Sequence, residues 1–389
     1  MSKKICVVTG SRAEYGLLFP LLKKLRQDSF FRLQLVATGM HLSPEFGLTF
    51  REIEKDGFRI DAKVEMLLSS DTEIGITKSI GIGISSFADT LNELRPDALL
   101  VLGDRFEIFA AVTAALIARI PVIHLYGGEI TEGAFDDALR HSITKMSSLH
   151  FTSTELYRKR VIQLGENPKS VFCVGALGLD NIRSMKLLSR KELEKKLGIQ
   201  FRKKNLLVTF HPVTLEKNTS QNQFQQLLDA LDQLKDVQVV FTKSNADTQG
   251  RVINEMIDAY TAERGNAAAF TSLGQLKYLS LMNETDVVVG NSSSGIVEAP
   301  GFRIATVNIG DRQKGRIRTE SIIDCKPVKK DIQRAIQKAL SLEFEKVAAN
   351  VKNPHGDGKA AEQIVGILKK KMDKIELKKG FYDIAFRHS

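Results

Sequence analysis

The chain has 389 residues, 43% hydrophobic and 26% charged, which excludes wholesale disorder and leaves room for two cores. Its 56 Lys+Arg against 46 Asp+Glu give a net charge of +10, which raises a nucleic-acid or membrane-surface reading. No apolar stretch is long enough to span a membrane, MSKKICVVTG lacks the pattern of a secretory leader, and Cys6, Cys173 and Cys325 are too sparse for a disulfide framework or a CxxC metal pair.

The composition points to the cytoplasm, with Cys6 and Cys173 as buried thiols in apolar runs. In chain order, a strand at 5–10 leads to an amphipathic helix over 16–27 and a strand at 33–39. A helix through SSFADTLNEL precedes a strand at 98–104. EIFAAVTAALIAR then precedes one at 121–129, DDALRHSITKM precedes LHFTST, and YRKRVIQLGE precedes 170–176. Runs this continuously apolar are buried on both faces, as in a parallel sheet covered by helices. After a polar, basic stretch the alternation restarts at 205–212 and continues through VQVVFTKS, AAAFTSL, DVVVGNSSS and IATVNIG. The fold class is α/β, with a domain over 1–180, a basic connector over 181–204, a second domain over 205–358, and a C-terminal helix and tail over 359–389.

Two such units place their polar strand ends around one crevice. In VVTGSRAEYG a strand meets a helix start, where free N–H groups and the Arg12 fork suit a phosphate, although a tight turn with a salt-bridged Arg12 would explain the same residues. In VVVGNSSSGIVEAPG, Asn291 and the hydroxyls of Ser292 and Ser293 suit an anion, with Glu298 a turn or two into the next helix and able to bond a ribose. Neither segment is GxGxxG, Walker A or G-x-S-x-G. Asp104, Glu129 and Asp136 fall at strand ends or a helix start in the first domain. Carboxylates sharing a crevice have their pKa values pushed apart, as acid/base work on a C–H bond requires. Asp137 reads instead as a helix N-terminal charge. His211 ends the first strand of the second domain before a turn-forming Pro, whereas His41 and His141 belong to the first. No metal-binding or nicotinamide-binding pattern is present, so no cofactor is expected.

TGSRAEYG, ATGMH, LGDRFE, GGE-x6-DD-x2-RHSITKMS, RVIQLGE-x-P, FHPVT, GNSSSGIVEAP and NIGDRQKGR together resemble, in order, the hydrolysing UDP-N-acetylglucosamine 2-epimerases of sialic acid biosynthesis. The resemblance spans essentially the whole chain. It implies a GT-B-like fold with UDP held mainly by the second domain, and a C-terminal helix returning to the first. It implies abstraction of the C2 proton, anti elimination of UDP, and hydration of a 2-acetamidoglucal, converting UDP-GlcNAc to ManNAc plus UDP. Position by position it implies acid/base roles for Asp104 and Asp136. It implies substrate or UDP contacts for Arg12, His211, Ser292, Ser293 and Glu298, and Arg312 near the diphosphate. His41, Arg105 and Asn291 fall in the same motifs and join the binding candidates, and His211 joins the catalytic ones. Where many members read HIEGGE, this chain has Tyr126, which leaves the C2 base open, with Glu129 a candidate to share it. The resemblance also implies a homodimer or homotetramer.

Three other readings remain at this level. The same reaction on UDP-N,N'-diacetylbacillosamine differs only at C4 and C6 of the sugar. A GT-B glycosyltransferase would share the nucleotide site. A nucleic-acid binder is disfavoured because 181–204 and 360–389 carry the whole basic excess, away from the motifs, and no RRM, OB or helix-turn-helix pattern occurs. No nucleic-acid or membrane partner is therefore expected.

Overall fold

Two parallel sheets carry the molecule. The computed structural model describes residues 2–216, 219–245, 247 and 249–385. The first sheet holds β1 (Lys3–Thr9), β2 (Phe31–Thr38), β3 (Ala62–Val64), β4 (Ala98–Leu102), β5 (Val122–Leu125), β6 (Leu149–Thr152) and β7 (Val171–Cys173), in the order β3-β2-β1-β4-β5-β6-β7. The second holds β8 (Lys204–Thr209), β9 (Val237–Thr242), β10 (Ala267–Phe270), β11 (Val287–Gly290), β12 (Ala305–Ile309) and β13 (Ile322–Cys325), in the order β10-β9-β8-β11-β12-β13. Helices cover both faces, as the double-sided burial of β1, β4 and β8 requires. Strand order reverses between β1 and β4 and between β8 and β11, so a crevice opens at the strand C-termini of each sheet. The two crevices face one cleft, which is the GT-B-like arrangement.

The structure corrects several expectations. β3 and β13 are short edge strands that the apolar-run criterion missed. Cys173 ends the edge strand β7 and is exposed, so it is not a buried thiol. Glu129 does not end a strand, because β5 stops at Leu125 and a loop follows. The helix after GNSSS is a single turn, Ser294–Val297, and Glu298 caps it. Half of the 181–204 connector is helical, at the end of Leu177–Ser184 and then over Arg190–Leu197, whose capping box is Ser189 with Glu192.

The helix Arg12–Gln27 shows how the halves are joined. Pro20 lacks the N–H that would reach the Gly16 carbonyl. Asn181 fills the gap, its Nδ2 donating to Gly16 O at 2.7 Å. Gly16 also lets the two domains touch, since a Cβ there would lie 2.0 Å from Gln275 Oε1. The C-terminal helix Ala360–Lys371 packs Ala361, Ile364 and Leu368 into the core of the first sheet. Asp180 caps it from outside, accepting from Ala360 N at 3.0 Å and Ala361 N at 2.9 Å.

Candidate active site

The cleft between the sheets has an empty volume of about 1530 Å³, its open mouth included. Arg12, Asp104, Arg105, Glu129 and Asp136 line it from the first domain, and His211, Ser292, Ser293, Glu298 and Arg312 from the second. Sequence motifs separated by almost three hundred residues thus converge on one space.

On the first-domain side, Gly103 follows β4 at φ 80, a left-handed turn that delivers Asp104 to the cleft. Asp104 pairs with Arg140, not with the adjacent Arg105. Arg140 is almost fully buried and gathers the loop, donating to Glu129 O at 2.8 Å and to Asp137 Oδ1 at 3.3 Å. Asp136 and Asp137 open the helix Asp136–Met146. Asp137 ties the preceding loop to that helix, accepting from Thr131 N at 2.6 Å. Asp136 differs. Burial, then the charges of Asp104 and Asp247, push its carboxyl up to about 7.

Glu129 is buried and held as an anion. Burial raises its pKa, but Arg316 and Arg140 outweigh that and leave it below the ordinary value. Arg316 Nη1 lies 2.6 Å from Glu129 Oε2, and Ser153 Oγ donates to Oε1 at 3.0 Å. The loop before it is tightly built. Tyr126 adopts φ 68, and Gly128 adopts φ 78, where a Cβ would meet Tyr157 O at 2.3 Å. The Tyr126 phenol is buried, and the residue packs against the small cluster of Ala176, Leu179 and Val297.

On the second-domain side, burial and the nearby Arg312 push His211 down to about 3, so the imidazole is neutral. Its Nδ1 faces Ser244 Oγ at 3.2 Å and Asp247 Oδ2 at 4.0 Å. Burial pushes Glu298 up to about 8, with Glu129 adding to the rise. A neutral carboxyl there both donates and accepts, which suits vicinal hydroxyls. The Ser292 hydroxyl meets Ser294 Oγ at 3.3 Å, and Ser294 meets Tyr278 OH at 2.5 Å. Arg12 lines the cleft, and its guanidinium hydrogen-bonds to none of the described residues.

Two candidates are not brought to the cleft. His41 is fully buried, with Nε2 at 3.1 Å from Thr9 Oγ1 and Nδ1 at 2.8 Å from Thr49 Oγ1, so both nitrogens are used inside the first domain. Asn291 clamps the His211 backbone instead, accepting from its N–H at 2.7 Å and donating to its carbonyl at 2.8 Å. Its own carbonyl accepts from Arg312 Nη1 at 3.1 Å. Arg105 lines the cleft and is tied to Glu107 at 2.6 Å and Asp247 at 3.1 Å, which leaves its buried Nη2 without a partner among the described residues.

Sequence reasoning missed Arg140, Arg316 and Asp247. Arg140 carried a signal, since it lies in the RHSITKMS motif, one helical turn after Asp136. Asp247 had none, because its partner Arg105 is 142 residues away. Among the described residues, no group of three His, Cys, Asp or Glu is arranged to hold a metal, and no helix is long and apolar enough to cross a membrane.

A family model described as UDP-N-acetylglucosamine 2-epimerase matches residues 23–369. A GDP/UDP-N,N'-diacetylbacillosamine 2-epimerase (hydrolyzing) of Campylobacter jejuni is 47% identical over 347 residues, covering 89% of this chain and 90% of that one. The polysialic acid biosynthesis protein P7 of Escherichia coli is 41% identical over 387 residues, 98% of each chain. A UDP-N,N'-diacetylbacillosamine 2-epimerase (hydrolyzing) of Legionella pneumophila is 36% identical over 369 residues, 95% of this chain and 96% of that one. The structure of a Neisseria meningitidis UDP-GlcNAc 2-epimerase bound to UDP-GlcNAc shares the fold, at TM-score 0.79 and 20% identity over 95% of this chain and 100% of that one. With its two facing sheets, its converging motifs and these matches, the chain belongs to the UDP-N-acetylglucosamine 2-epimerase family, among relatives named as hydrolysing 2-epimerases.

Proposed function

We propose that the chain hydrolyses a UDP-linked 2-acetamido sugar with inversion at C2. Asp104 and Asp136 carry the reading, as two carboxyls that line one cleft in different surroundings. Asp104 is paired with Arg140, while Asp136, near 7, exchanges a proton at neutral pH. The pair removes the C2 proton and returns one to the opposite face. Removal of that proton supplies the electrons of a C1–C2 double bond as the C1–O bond breaks and UDP leaves. Water then adds its oxygen at C1 while C2 regains hydrogen. Oxidation state is conserved, so the reaction calls for no nicotinamide. Arg12, Arg312, Ser292 and Ser293 are the proposed diphosphate contacts, Glu298 the ribose contact, and neutral His211 a donor to the leaving group.

UDP-N,N'-diacetylbacillosamine is the first substrate, ahead of UDP-GlcNAc, the reverse of the order that the motifs suggested. Two relatives at 47% and 36% identity bear its name. UDP-GlcNAc is kept because a Neisseria meningitidis relative of 31% identity is named for it. NMR of products from both sugars in deuterated water, with a GDP-linked sugar as control for the base, tests the reading. The expected result is free 2-epimer with deuterium at C2. Retained C2 hydrogen refutes the proton-transfer mechanism, and release that needs an acceptor alcohol indicates a glycosyltransferase.

A further inference from the structure

We infer that Arg316 is a further substrate-contacting residue and that Glu129 is the counter-ion that positions it, not the group that moves the C2 proton. The inference rests on the 2-epimerase reading.

Glu129 looks catalytic in the sequence but is fully engaged in the structure. Its Oε2 faces Arg316 Nη1 at 2.6 Å and its Oε1 accepts from Ser153 Oγ at 3.0 Å. A base must turn a lone pair toward a C–H bond, and these fixed donors oppose that. Arg316 keeps Glu129 ionised in a buried place, which is what a counter-ion needs.

Arg316 has capacity left over. Its side chain is 8% exposed and lines the cleft, and its Nε is a buried donor with no partner among the described residues. A buried donor is normally paired, so an unpaired one at a cleft wall points to a ligand acceptor. Asp104 and Glu298 both lie close enough to act on Arg316 electrostatically. The guanidinium is also delivered with little freedom. The loop after β12 leaves the second domain and docks on the first. Lys314 O accepts from Glu132 N at 3.4 Å, Lys314 Nζ meets Glu132 Oε2 at 3.0 Å, and Ile317 N donates to Tyr157 OH at 3.0 Å. Gly315 lets the loop lie against Ile130, since a Cβ there would sit 2.5 Å from Ile130 Cγ2. The second domain thus places Arg316, and the first domain neutralises it. The acceptor is an oxygen of the nucleotide sugar, on the diphosphate or on the acetamido group.

The test compares wild type with Glu129→Gln, Arg316→Met, Arg316→Lys and the double variant Arg316→Met/Glu129→Gln. The readouts are kcat/KM, deuterium at C2 and calorimetric affinity for UDP. Gln preserves the shape and acceptor of Glu129 but cannot take a proton, so Glu129→Gln should lose about tenfold and still incorporate deuterium. Arg316→Met should lose about a hundredfold or more, and Arg316→Lys should recover only part, since an ammonium lacks the fork. The double variant decides the case because it removes the lone buried carboxylate that could unfold Arg316→Met. It should remain as impaired as Arg316→Met. Recovery of the double variant to the level of Glu129→Gln overturns the inference, because Arg316 would then serve only to neutralise Glu129. A loss of about a thousandfold in Glu129→Gln, with no C2 deuterium, overturns it as well. Weakened UDP binding in the double variant places the acceptor on the diphosphate, and a fall in kcat/KM alone places it on the sugar. A wild-type chain that binds UDP but turns over neither sugar refutes the 2-epimerase reading separately. In that case, unchanged UDP affinity in the double variant overturns the inference too.

Discussion

Asp247→Asn probes how the second domain tunes an acid of the first. Asp136 lies at about 7 against an ordinary 3.8, because it is buried and because Asp104 and Asp247 add negative potential. Screened as partly buried groups are, one such charge is worth about 1–2 kcal/mol. That is roughly a tenfold change in proton affinity. A second effect has the same sign. Arg105 now holds Asp247 at 3.1 Å, and losing that partner leaves its positive charge freer to act on Asp136. Both changes lower the Asp136 pKa. His211 does not confuse the result, since removing the anion 4.0 Å away lowers an imidazole already at about 3. Wild-type kcat/KM should therefore show a limb near pH 7, and Asp247→Asn should move it about one pH unit toward acid. The assay is initial rate against pH from about 5 to 9 in constant ionic strength, with UDP binding as the check that the cleft is intact. A limb that stays in place or moves alkaline refutes the electrostatic account.

Asn181→Ala strands the Gly16 carbonyl but also removes the unpaired Asn181 Oδ1, so a cost of about 1–2 kcal/mol is expected in urea unfolding. In a Pro20→Ala background the helix regains its own N–H and that cost should shrink; an equal cost in both backgrounds refutes the compensation. Gly128→Ala meets Tyr157 O and a left-handed backbone together, so a loss of about 2 kcal/mol or more and weakened turnover are expected, checked by thermal melt and rate. For Glu166, burial raises the pKa, but His150, Lys145 and Lys379 outweigh it and hold the carboxyl at about 2 against an ordinary 4.5. Its folded pKa is depressed, so its stabilisation is present above 4.5 and is lost as pH falls toward 2. Urea midpoints of wild type and Glu166→Gln should converge over that window, and parallel curves would exclude the linkage.

The alternation of apolar runs with helical periodicity was enough to read two α/β units, because strands buried on both faces leave an unbroken apolar record. It failed at β3 and β13, very short strands whose apolar run is interrupted by Lys63 and Asp324. It misjudged Cys173 because an apolar neighbourhood in sequence does not place a residue away from a sheet edge.

The motifs were likewise legible, because strand ends carry their polar residues in short, contiguous words. Asp104, Asp136, His211, Ser292, Ser293, Glu298 and Arg12 were named from such words and Arg312 from the family resemblance, and the fold gathers them around one cleft. Which charges meet was not legible. Local sequence offers Arg105 to Asp104, yet tertiary structure gives Asp104 to Arg140 and Arg105 to Asp247. Nor could sequence show that His41 and Asn291 spend their polar atoms inside the protein. By itself the sequence determined the two sheets and most of the residues at their mouths, because periodicity and turn chemistry are local. Tertiary structure alone decided the ion pairs, the burial that moves Asp136 and Glu298, and the loop that brings Arg316 to Glu129, because those depend on distances between segments far apart in the chain.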